Sequence, residues 1–292
     1  MTHEILRFYF SKSLLIKEIH KMIYKVLTLA KVAGLSLVLF TIQLNAQQAD
    51  SKSKSLLSNM YKVTGDYGDL WKKNDVQFDY LYDNFAAGKD VSQERFIIDG
   101  EHTWARYTTH ERNVLPGQDG IVVQSLIDGV PQVTLNGKSV KDEAALGGTK
   151  FIREVNPFWF MMSYKIADPS TIHSYLGSEV VDGVTYEKVS LKYKNEMTGK
   201  PADDEYILYY NTKSNLIDLF YFSLPAMGVN DPIIKMEIEY DIIEGIYVPT
   251  KRRSYAPNPE TGAYTLNGEY TFSNIKFNNG FKKEDFALKG EM

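Results

Sequence analysis

Cysteine is absent from all 292 residues, which excludes a disulfide framework, a thiolate nucleophile, a thiolate metal site and the lipobox cysteine that would carry an acyl anchor. Histidine is scarce: of five, only His102, His110 and His173 lie beyond residue 46. His102 and His110 are eight residues apart, and a single strand would hold their imidazoles about 26 Å from each other at about 3.3 Å per residue, too far for one metal ion. No Gly-x-Ser-x-Gly elbow, phosphate loop or dinucleotide fingerprint occurs. No Pro/Gly/Ser-rich linker divides the chain. Positive charge is in deficit, with a net charge of −4 at pH 7, which argues against nucleic acid as a partner.

Long apolar runs are missing too. The apolar stretch over residues 32–42 is shorter than the about 20 residues that span a bilayer. In "MIYKVLTLAKVAGLSLVLFTIQLNAQQ" (residues 22–48) it follows the basic Lys25 and Lys31 and precedes the small Ala46, the layout of a secretory signal peptide. Cleavage after Ala46 would leave 47–292 as a single domain. Met22 is the alternative start, and an uncleaved amphipathic anchor is the competing reading of residues 1–46. Losing that segment removes six Lys and Arg and two acidic residues, so the net charge falls from −4 to −8. The expectation is a soluble protein of the periplasm, or a secreted one, with no acyl anchor.

What is present is alternation. "SKSKSLLSNMYKV" sets Leu56, Leu57, Met60 and Tyr61 at helical spacing. The period then changes to two: in "DVQFDYLYD", Val76, Phe78, Tyr80 and Tyr82 alternate with polar residues. Asp99-Gly100, Asp128-Gly129 and Asp182-Gly183 mark tight turns between further strands. In "PIIKMEIEYDII", Ile234, Met236, Ile238, Tyr240 and Ile242 form one face and Lys235, Glu237, Glu239 and Asp241 the other. That acidic stripe reads as the wet side of a strand rather than as paired catalytic carboxylates. Ten to twelve successive strands predict a mainly β fold, a large curved antiparallel sheet forming a half-open barrel, with an N-terminal helix and an inserted apolar helix.

The insertion is "NPFWFMMSYK" (residues 156–165). Asn156 as cap and Pro157 at the first position predict a helix starting there. At about 100° per residue, Phe158, Trp159, Phe160, Met161 and Met162 cover its whole circumference. Burying these with Tyr164 is worth about 9–18 kcal/mol, so every side must be dry. A self-filled core, a lid over a ligand and a protein-docking surface all satisfy that demand. A second oily stretch, "LFYFSLPAMGV", offers Phe220, Phe222, Leu224 and Met227 to line the mouth of a cavity, or to pack as an ordinary strand end.

The order of elements resembles the LolA-like fold of the periplasmic lipoprotein carriers. The stretches "YEKVSLKY", "YILYYNTKSNLIDLFYF", "IEYDIIEGIYVPTKRRSY" and "YTFSNIKFNNGFKKEDF" follow that superfamily's closing strands. With "ERFIIDGEHTWARYTTHE" they are most similar to a family of exported bacterial proteins of this fold that has no settled function. The resemblance implies a concave, aromatic-lined sheet face covered by helices and able to hold acyl chains. In the lipoprotein carriers an arginine near the second and third strands takes part in the cycle; Arg95 and Arg106 lie in that region here, without the surrounding motif.

The expected function is therefore binding of a lipid, a lipoprotein acyl chain or another hydrophobic molecule by Phe158, Trp159, Phe160, Met161, Met162, Tyr164, Phe220, Phe222, Leu224 and Met227. It requires no catalysis, cofactor or metal, and implies a monomer that makes transient membrane or membrane-protein contact. The alternative is a non-enzymatic interaction or structural module with a self-filled barrel, and behind it an envelope hydrolase.

Overall fold

The computed structural model describes residues 48–194 and 203–288. The signal segment, its cleavage site and Met22 lie outside the described residues.

The chain opens with β1 (Gln48–Ala49), α1 (Ser51–Thr64) and α2 (Tyr67–Trp71). Six strands follow: β2 (Asp75–Asn84), β3 (Gly88–Ile97), β4 (His102–His110), β5 (Val122–Ile127), β6 (Val130–Leu135) and β7 (Lys138–Ser139). A single helix, α3 (Glu143–Lys165), then leads to β8 (Thr171–Val181), β9 (Val184–Tyr193), β10 (Tyr206–Asn211), β11 (Ile217–Leu224), β12 (Val229–Ile243), β13 (Ile246–Pro257) and β14 (Tyr264–Phe277). The strands among the described residues form one sheet in the order β1-β8-β9-β10-β11-β12-β13-β14-β2-β3-β4-β5-β6-β7. Its edges, β1 and β7, do not pair, so the curl stays open. All pairs are antiparallel except β1 with β8, which makes the sheet mixed, and the two-residue strands β1 and β7 raise the number above the ten to twelve expected.

Strand alternation follows the sequence pattern closely. Val76, Phe78 and Tyr80 of β2 and Phe96 of β3 are buried on the concave face. Ile242 departs from it: at 59% exposure it lies outside the core, while its neighbour Ile243 packs on the cluster around Phe272. A register shift between Glu239 and Tyr240 interrupts the alternation just before it.

The topology dictates where α3 must run. β7 lies at one edge of the sheet and β8 beside the other, so the connection has to cross the whole concave face. A helix of 23 residues reaches about 34 Å at about 1.5 Å per residue, enough for that crossing. α3 begins over β5 and β6 and ends over β13. Asp142 caps it, accepting from the Ala145 amide at 2.9 Å, and Ile166 ends it.

This corrects the expected start of the oily helix. Asn156 is not its cap and Pro157 is not its first residue; both lie in its interior. A proline there lacks the N–H that would bond the carbonyl four residues back, here that of Arg153. The Thr103 hydroxyl on β4 donates to that carbonyl at 3.2 Å, so the break in the helical ladder is repaired from the sheet.

Thr103→Val should leave the buried carbonyl without a partner and cost about 1–3 kcal/mol in denaturant unfolding. Adding Pro157→Ala should recover most of the loss, because the new amide supplies the missing bond. An unchanged stability in the single variant would show that the hydroxyl does not repair the ladder.

Candidate functional site

α3 has two halves of different character. In the first, Glu143, Ala144, Gly147, Lys150 and Glu154 are exposed, while Thr149 and Arg153 are buried. This is an ordinary amphipathic helix. From Val155 to Ala167 no residue is exposed. Pro157 stands at the change.

The second half divides its oil between two clusters on the concave face. Phe158, Trp159 and Met162 join Phe220, Phe222 and Leu224 of β11 and Tyr206 of β10. There Trp159 stacks on Phe220 with centroids 5.7 Å apart and meets Phe222 edge-on at 5.2 Å. Phe160, Met161 and Tyr164 join β2, β3, β13 and β14, where Phe160 stacks on Phe78 at 4.7 Å. The ten residues singled out from the sequence thus fall into these two groups, except Met227. That side chain is 64% exposed in the turn after β11.

Besides Gln124, which donates to Thr149 at 2.9 Å, and the Lys165–Glu101 ion pair, three sets of polar contacts bear on the oily half of the helix. At its middle, the Arg153 guanidinium is fully buried and forms a two-pronged pair with Glu94 of β3, itself fully buried. The same guanidinium donates to the Tyr107 hydroxyl at 2.6 Å, while Asn156 and Ser92 donate to the Glu94 carboxylate at 3.2 and 2.9 Å. Burial alone would weaken the Arg153 charge, but the Glu94 carboxylate outweighs it and holds the guanidinium's pKa above its ordinary value. At the far end, the Tyr164 hydroxyl donates toward the Thr64 and Tyr247 carbonyls and accepts from the Tyr247 amide at 3.0 Å. The Tyr61 hydroxyl of α1 donates to the Tyr164 carbonyl. His173 of β8, also buried, lies with Nε2 2.8 Å from the carbonyl of Ile166, the helix's last cap.

The third contact is unlike the others. Arg252 of β13 is 3% exposed and donates to the backbone carbonyl of Trp159. Its guanidinium carbon lies 5.3 Å from the Trp159 ring centre and 5.6 Å from that of Phe272. Among the described residues no carboxylate pairs with it, and Nε has no hydrogen-bond partner. Burial pushes its pKa down to about 10, against a smaller electrostatic effect of Tyr240, Tyr80, Tyr270 and Tyr206 that raises it.

Neither arginine of the region suggested by the resemblance reaches this face. Arg106 is exposed, and Arg95 bonds Gln77 while lying over the Trp104 and Phe281 rings. Sequence reasoning missed Arg153 and Arg252. Arg252 carried a usable signal: in the strand "TKRRS", alternation must point the middle of three consecutive cations opposite to Lys251 and Arg253. Arg153 carried one only for a helix begun at Glu143, where Leu146, Thr149, Arg153 and Pro157 share a stripe.

The remaining groups weighed in the sequence are engaged elsewhere. The ring nitrogens of His110 lie 2.9 and 3.0 Å from the Val114 and Gly120 carbonyls, and His102 is 3.9 Å from Asp128. Glu237 pairs with Lys235 and Glu239 with Arg253, at 2.7 and 2.6 Å. Two open clefts, of about 430 and 280 Å³, lie between the end of α1 and Gly245, and between the start of α3 and residues 113–118.

Two outcomes follow from these contacts. Glu94→Leu should cost about 3–5 kcal/mol by stranding the Arg153 charge, and Glu94→Leu with Arg153→Met should recover most of it; additive losses in urea melts would show the pair to be uncoupled. Burial lowers the His173 pKa, against the raising effect of its bond to Ile166. Its stabilisation is therefore complete above the unfolded value of about 6.5 and is lost as the pH falls through the lower folded value. Melting temperature should drop on acidification below about pH 6.5, and His173→Gln should flatten that limb of the curve.

No protein-family model matches the sequence, and no curated protein matches it closely. Solved structures similar to this chain include a DUF1329 family protein from Desulfovibrio piger, 12% identical with a TM-score of 0.49, covering 80% of this chain and 97% of that one. Another is a LolA superfamily protein from Nitrosomonas europaea, 11% identical with a TM-score of 0.46 over 80% and 97% of the two chains.

Proposed function

We propose that this protein is a non-enzymatic holder or carrier of an apolar ligand in the cell envelope, a lipid or a lipoprotein acyl chain. The ligand is held between the concave face of the sheet and the second half of α3. The observation that carries this reading is the helix itself, which has no exposed residue from Val155 to Ala167 and presents its oil to two aromatic clusters.

A core strut needs no break, yet the helix has one where its character changes. Pro157 removes a ladder bond between the half fastened by Arg153 and the half that carries Trp159. Prolines at such positions are where helices bend, and Pro157 is the hinge in this reading. Met161 and Met162 suit a surface that repacks around apolar shapes, because the thioether chain is flexible and polarizable. The ligand would take the place of Trp159 and Phe158 against Tyr206, Phe220 and Phe222 as the lid lifts.

The protein purified gently from its native envelope should release a stoichiometric apolar molecule into a solvent extract, read by mass spectrometry. Once stripped, it should take up a neutral fluorescent apolar probe, and Pro157→Ala should slow that uptake several-fold without lowering the melting temperature. A clean mass together with no probe uptake would leave the filled module as the function of the fold.

A further inference from the structure

Among the described residues, Arg252 is a buried cation on the concave face that no carboxylate pairs with. Removing a guanidinium from water is costly unless it is paired and fully hydrogen-bonded. Arg153 has a counter-charge in Glu94, although its Nε also lacks a hydrogen-bond partner. Arg252 has no counter-charge among the described residues: its hydrogen bond goes to a helix carbonyl, a partial charge, and its Nε is unpartnered. It sits at the seam of the two clusters, between Trp159 of one and Phe272 of the other. The carbonyl it holds belongs to the segment that lifts in the reading above.

We propose that Arg252 anchors the negatively charged head of an amphiphilic ligand, a long-chain carboxylate, whose apolar tail lies in the aromatic cluster vacated by Trp159. This inference rests on the carrier reading and names the ligand class for the same site. In the closed state the Trp159 carbonyl stands in for an oxygen of the head; on opening, the guanidinium is free to take two oxygens at once through Nε and a terminal nitrogen. The other buried arginine is committed to Glu94, so a single positive charge faces the ligand. That suits a monoanionic carboxylate better than a doubly charged phosphate monoester. The tail needs no polar partner, since Phe220, Phe222 and Tyr206, which surround Trp159, offer it aromatic surface.

The test compares palmitate with hexadecanol, which has a tail of the same length and no charge, as displacers of a neutral fluorescent probe at pH 8. Palmitate should act at a concentration at least about tenfold lower, the scale of a hydrogen bond to a charged group. R252M should abolish that preference, read as the ratio of the two displacers' potencies so that any effect of the lost Trp159 bond on lid opening cancels, and R252K should retain part of it. An apolar side chain of similar length in place of an unpaired buried charge is expected to be tolerated, and the preference of the unaltered protein is informative without any variant. Equal potency of the two displacers, or a preference that survives R252M, overturns the head-group role and leaves the carrier reading standing. Failure of the unaltered protein to take up the neutral probe overturns both.

Discussion

The chain leaves the sheet at one edge with β7 and re-enters beside the other with β8, and the only direct route between them crosses the concave face. Most of what is unusual in this protein follows from that crossing. The connection must be long, which a single helix of 23 residues provides. It begins near the rim, over β5 and β6, where one side still meets water. It ends deeper in the curl, packed against the sheet and α1 with no residue exposed. Its composition changes accordingly, from an amphipathic stripe to side chains that are apolar all round.

A helix laid through a core leaves its backbone nowhere to find water, so every carbonyl it frees must be met by the sheet. Pro157 frees the carbonyl of Arg153, and Thr103 meets it. The side chain of that same residue is neutralised by Glu94. One turn of helix is therefore fixed to β3 and β4 through both backbone and side chain, immediately before the break. The turns that follow depend on ring packing, on the Tyr164 and His173 contacts and the Lys165–Glu101 ion pair at the far end, and on one bond from Arg252. Rigid attachment on one side of a proline and mostly non-directional packing on the other is the mechanical condition for a hinge.

The two buried arginines show how similar side chains take opposite roles. Arg153 completes a network in which Glu94, Tyr107, Asn156 and Ser92 share its charge, and such a network specifies where the helix sits. Arg252 lies among rings and hydroxyl groups with no counter-charge. A fold maintained only for stability would gain by replacing it with an apolar residue, and in the proposed carrier it is the charge that a ligand head of opposite sign would meet.

Much of this was legible in the sequence. The alternation in β2 and β12, the Asp-Gly turns and the apolar circumference of residues 158–162 are local properties, set by a period of two or of 3.6 and by the turn preferences of single residues. They determined a mainly β protein with one helical insertion that must be dry all round. The start of that helix was not legible, because Asn156 and Pro157 carry the local signature of a helix start and only a hydroxyl 50 residues away lets the helix run through them. Nor were the pairing of Arg153 with Glu94 across 59 residues or the position of Arg252 beneath Trp159. Those depend on which strands the curl brings together and on the path of the crossing helix, and no local period encodes either.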